Sequence, residues 1–102
     1  MNGTFPAPGP VGCIRLVGRF DFSAFRHFRN SYEPMLDDAK INEIRIELAE
    51  VVHMDSAALG MLLLLREKAE EHGKRVSLAH CSPGIRHILT VTNFNQLFEL
   101  VD

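Results

Sequence analysis

The run HMDSAALGMLLLLREKAEEHG, residues 53–73, sets the fold, because the apolar spacing changes character within it. At 100° per residue, Ala58, Met61, Leu62, Leu65 and Ala69 fall on one face, so the run predicts an amphipathic helix from about Ser56 to His72. Gly73 stops it, with Lys74 and Arg75 beyond. Just upstream, EIRIEL (residues 43–48) alternates strictly, with Ile44, Ile46 and Leu48 on one side and Arg45 and Glu47 on the other, which predicts a half-buried strand. RVSLA (residues 75–79) reads as a further strand. The central third of the chain is therefore strand, helix, strand.

The same periodicities extend outward. Ile14 and Leu16 alternate with Arg15, and Gly18 loosens the end of a strand spanning Gly12 to Phe20. Phe25, Phe28, Tyr32 and Met35 then recur at three and four residues, with Ser23 where an N-cap belongs; Pro34 predicts that this helix kinks or ends near Glu33. Ser82 caps a third helix that carries Pro83 at its first position and Ile85, Ile88 and Leu89 on its apolar face. LFELV (residues 97–101) reads as a last short strand. This order predicts an α/β protein, a sheet with helices packed against it. Arg15, Arg45, Glu47 and Ser77 occupy the outward strand positions, so the helices are expected on one face only.

The chain's 102 residues suffice for a single modest core. Residues 1–10, rich in proline and glycine, are expected to form a loose arm or an irregular edge strand, and residues 11–102 the domain. A formal charge of −2 with no block of basic residues argues against nucleic acid as a partner. Two cysteines, Cys13 and Cys81, are too few for a disulfide framework, which fits a cytoplasmic location. The longest apolar run, Ala57–Leu65, reaches about half of the roughly 20 residues needed to cross a bilayer, so no direct membrane insertion is expected.

Chemistry concentrates where strand becomes helix. Asp55 is placed as the N-cap of the second helix and Ser56 in its first turn, an arrangement that capping alone would explain. Along the same helix, however, Ser56, Gly60, Leu63 and Glu67 share the face opposite the core. A hydroxyl, a bare glycine and a leucine on an outward face suit docking to another protein, unless neighbouring helices cover Leu63 and Leu64. Enzymatic readings have less support. The five histidines show no metal-ligand spacing, Ser56 lacks the flanking glycines of a nucleophile elbow, and no glycine-rich loop is present to hold a nucleotide. No metal or other cofactor is expected, and no enzymatic activity.

MDSAALG (residues 54–60) followed by an apolar helix resembles the signature of the STAS domain (sulfate transporter and anti-sigma factor antagonist), whose small bacterial members carry Met-Asp-Ser-Ser/Thr-Gly-Leu-Gly. GRFD (residues 18–21) and CSPGIRHILTVTNF (residues 81–94) extend the resemblance over nearly all of Val11–Val101. Ala57 and Ala58 stand where the family usually has Ser/Thr and Gly, and Arg19 where it usually has glutamate. The resemblance implies a STAS-like α/β fold, a mixed sheet of about four to five strands with helices packed on one face, and an anti-sigma factor antagonist acting by partner switching. Unphosphorylated, it would bind an anti-sigma factor that is also a serine kinase, and so release a sigma factor. Phosphorylation of Ser56 would break that contact, and a metal-dependent serine phosphatase of the PP2C type would restore it. Asp21, Asp55, Ser56, Gly60 and Leu63 would form the partner surface. The alternative is a constitutive STAS subunit that docks on the ATPase of a membrane transporter.

Overall fold

A computed structural model describes residues 10–102, so the expectation for the arm falls almost wholly outside the described residues. Strand β1 (Val11–Phe20) leads through a 3-10 turn (Phe22–Ala24) into helix α1 (Phe25–Asp37), and strand β2 (Glu43–Met54) into helix α2 (Ser56–Glu71). Strand β3 (Arg75–Ala79), helix α3 (Pro83–Val91), a second 3-10 turn (Phe94–Gln96) and strand β4 (Glu99–Val101) complete the described chain.

The sheet has four strands in the order β1-β2-β3-β4, and every described pairing is parallel. Each crossover therefore steps in the same direction, and right-handed crossovers that all step one way place every helix on the same face. The other face stays open, which matches the alternation in β1: Ile14 and Leu16 are buried, while Arg15 and Val17, alternating with them, are exposed. Across the covered face the side chains of Ile44, Ile46, Leu48, Leu62 and Leu65 are completely buried. The five residues assigned to the core face of α2 are the five that the helix buries.

Three elements depart from simple periodicity. Helix α1 runs through Pro34 to Asp37 instead of ending near Glu33. Pro34 lies on the solvent side, so the carbonyl it leaves unpaired can reach water, while Leu36 beyond it is buried and holds the last turn down. The cap of this region is Asp21 rather than Ser23: its carboxylate accepts the Ser23 N–H ahead of the 3-10 turn. Strand β2 continues six residues past EIRIEL, because two register shifts against β1, at Arg15/Val17 and at Gly18/Arg19, absorb extra residues. Gly18 takes φ +80 at the second shift, a backbone conformation other residues rarely adopt.

The open face carries a polar network. Glu43 accepts the Ser77 hydroxyl (2.6 Å) and guanidinium N–H groups from Arg45 (3.1 Å) and Arg75 (3.0 Å). Ser77, an outward residue by sequence, is thereby buried beneath its neighbours. Burial of Glu43 raises its pKa, but the bonds from Ser77 and Arg45 and the charges of Arg45 and Arg75 outweigh it, so the carboxyl titrates below its ordinary value.

Candidate functional site

Parallel strands send their carboxyl ends to one side of the sheet, where the following helices begin. Asp21, Asp55 and Ser82 stand at those three starts, each accepting a backbone N–H from the turn it caps. The pairing of β1 with β2 brings two of them together: Arg19 lies opposite His53 and Phe20 opposite Met54, so the next residues are Asp21 and Asp55.

Asp55 is extended (φ −118, ψ −173), and its Oδ1 accepts the Ala58 N–H at 3.0 Å while its carbonyl accepts the Leu59 N–H at 3.1 Å. Ser56 follows as the exposed first residue of α2. Ala58 is wholly buried, so a larger side chain there would collide with the core. Asp21 Oδ1 accepts both the Ser23 hydroxyl (2.5 Å) and its N–H (3.0 Å), and Arg19 Nε reaches Oδ2 at 3.4 Å. The Ser23 hydroxyl bond is the main reason the Asp21 carboxyl titrates below its usual range.

One and two turns along α2 the outward face is Gly60 and then Leu63, both exposed, as the spacing predicts. Leu63 retains 41% of its surface, so neighbouring helices do not cover it, whereas Leu64 is half-buried. A Cβ added at Gly60 would meet nothing within 4 Å, so no packing inside the domain requires glycine there. The strand-end pairing thus gathers Asp21, Asp55 and Ser56 at one end, and the helix extends that surface through Gly60 and Leu63.

Four further residues of this end are not apparent from periodicity. Phe22 is 71% exposed and stacked on Phe25 with ring centroids 5.9 Å apart; its only trace in the sequence is a phenylalanine placed directly after a capping aspartate. Val52 is 77% exposed, because the first register shift reverses the alternation of β2, so that Val51 enters the core and Val52 turns out. Arg19 and His53 become neighbours only through strand pairing. Two apolar side chains beside two carboxylates and a hydroxyl make a surface suited to a protein partner. A groove of about 550 Å³, lined in part by Arg66, Lys74 and Leu97, opens at the opposite end of the sheet, away from Ser56. Among the described residues no group of three or more histidine, cysteine, aspartate or glutamate side chains could hold a metal ion, and no helix is long and apolar enough to cross a membrane.

The chain is similar to known proteins. The family model described as "Mlab, STAS domain" matches residues 4–102. The STAS-domain containing protein PA14_20770 of Pseudomonas aeruginosa (strain UCBPP-PA14) is 43% identical over 94 residues, which span 92% of this chain and 91% of that protein. The anti-sigma factor antagonist SpoIIAA in its unphosphorylated form superposes with a TM-score of 0.75 at 20% identity, over 94% of this chain and 83% of that one. The STAS domain of the SulP transporter from Vibrio cholerae gives 0.74 at 16% identity, over 95% and 77%. At these identities the two structures bear on the fold alone.

Proposed function

The chain belongs to the STAS domain family, and from that premise we propose that it is an anti-sigma factor antagonist working by partner switching in the cytoplasm. In its unphosphorylated form it binds an anti-sigma factor that is also a serine kinase, and a sigma factor is released. The kinase phosphorylates Ser56, the complex dissociates, and a PP2C-type phosphatase resets the protein.

The observation that carries this reading is the placement of Ser56: exposed, first in α2, with Asp55 beside it and the Gly60 and Leu63 face running away from it. The start of a helix tolerates a phosphate, because unpaired N–H groups and the helix dipole favour negative charge, so the fold survives modification. The interface does not survive it. A dianion added next to Asp55, with Asp21 at the end of the neighbouring strand, meets like charge in a desolvated contact, and losses of several kcal/mol are the scale of such changes. Asp55, Asp21, Gly60 and Leu63 shape the docking surface, and Ser56 is the switch within it.

The test is intact-mass analysis of the protein from its native cells, before and after phosphatase treatment, with pull-downs using Ser56→Ala and Ser56→Asp. One phosphate on Ser56, removed by treatment, together with kinase capture by Ser56→Ala and not by Ser56→Asp, supports the switch. An unmodified protein that captures a transporter ATPase equally well with either variant overturns it. That outcome would favour the second reading, a constitutive STAS subunit of a membrane transporter, which likeness to a transporter STAS domain keeps in view.

A further inference from the structure

Arg19 and His53 are the two cationic or titratable side chains that strand pairing sets side by side just before the Asp21 and Asp55 turns. Paired residues on parallel strands stand about 5 Å apart. Arg19 is 64% exposed, and its guanidinium already reaches forward past the end of β1, as its contact with Asp21 shows. On the neighbouring strand its partner His53 lies three residues before Ser56. The contact is a long one at 3.4 Å, and Asp21 does not depend on it, since the Ser23 hydroxyl and N–H already bind the carboxylate. Arg19 is thus a loosely held cation at the edge of the proposed phosphorylation site.

Of the other charged or titratable groups nearby, two are committed to ion pairs, one lies in a different pocket and one shares a pocket with Arg19. Arg15 donates from Nη2 to both carboxylate oxygens of Glu50, at 2.7 and 2.9 Å, and Arg29 is paired with Glu33 at 2.9 Å. His27 of α1 lines the same shallow pocket as Arg19, and Arg26 lies in a different one. Asp21 and Asp55 are the anions facing the site.

We propose that Arg19 is the intramolecular receiver of a phosphate on Ser56: it leaves Asp21, pairs with the phosphoryl oxygens and holds the group over the start of α2, with His53 as a secondary neighbour. The proposal rests on the switch reading of Ser56. It assigns Arg19 a positioning role in the modified state, in which the cation offsets repulsion from Asp21 and Asp55 and fixes where the negative charge is presented. A guanidinium is suited to this, because its planar fork donates two parallel bonds to phosphate oxygens.

The experiment installs phosphoserine at position 56 during synthesis, so that no kinase is needed, and follows the phosphorus resonance through a pH titration. An ordinary phosphoserine loses its second proton near pH 6. A paired cation favours the dianion, so the wild-type midpoint should lie about half a unit or more below that of Arg19→Gln. Arg19→Lys should fall between them, and Arg26→Gln should match wild type. Coincident curves for wild type and Arg19→Gln would overturn the proposal, as would a midpoint that moves only with His53→Asn. This readout is independent of whether cells phosphorylate Ser56, which the intact-mass measurement decides, so the two claims fail separately.

Discussion

Replacing Gly60 with alanine separates what the domain requires from what its partner requires. Gly60 lies inside α2 on the exposed face, and an added Cβ would find no atom within 4 Å. The methyl group brings no packing strain, and the unfolded chain loses conformational freedom. Glycine inside a helix is about 0.8–1.0 kcal/mol less favourable than alanine, so Gly60→Ala should stabilise the domain by nearly that amount. For a domain of this size 1 kcal/mol corresponds to about 4–8 °C, so the melting temperature should rise by several degrees. Urea unfolding should show a higher midpoint at unchanged slope. Binding should move the other way. If the partner packs against the bare backbone, the methyl group overpacks the contact at a cost of about 1–3 kcal/mol, and Kd measured by calorimetry with the kinase partner should rise roughly tenfold or more. A destabilised variant would refute the open-space argument. A stabilised variant with unchanged Kd would remove Gly60 from the partner surface.

Asp55→Ala removes the bond to the Ala58 N–H and should cost about 1 kcal/mol in chemical denaturation, with Asp55→Asn retaining most of it. Leu63→Ala should change stability by less than about 0.5 kcal/mol while weakening partner binding, whereas Leu62→Ala, wholly buried one residue earlier, should cost about 2–5 kcal/mol. Glu43 titrates below its ordinary value of 4.5 when folded, so its network contributes stability above that pH and loses it as pH falls through the lower folded value. Glu43→Gln should therefore be less stable than wild type at pH 7, with the gap closing as acidification proceeds below the ordinary value of 4.5, as followed by thermal melts at stepped pH.

Much of the architecture was legible along the chain. The alternation of Ile44, Ile46 and Leu48 and the helical spacing of Ala58, Met61, Leu62, Leu65 and Ala69 each report a face, and all eight residues are buried. The outward positions of Gly60 and Leu63 follow from the same geometry. Capping at Asp55 and Ser82 was visible because a cap acts within three residues. Local rules failed where distant residues intervene. Pro34 does not end α1, because burial of Leu36 outweighs one missing hydrogen bond. Asp21 rather than Ser23 serves as the cap, since the chain turns once in 3-10 form before α1 begins. Ser77 alternates outward yet is buried under the Glu43, Arg45 and Arg75 network.

By itself the amino-acid order determined the succession of strands and helices, the face each presents to the core, and the Asp55-Ser56 junction at a helix start. These are short-range properties, set by side-chain periodicity and by hydrogen bonds between near neighbours. Strand order and register came from the tertiary structure alone, since pairing between β1 and β2 is chosen by burial of both inner faces at once and leaves no local mark. That pairing sets Asp21 beside Asp55 and Arg19 opposite His53, and its register shifts turn Val52 outward, so the surface around Ser56 exists only once the sheet has formed.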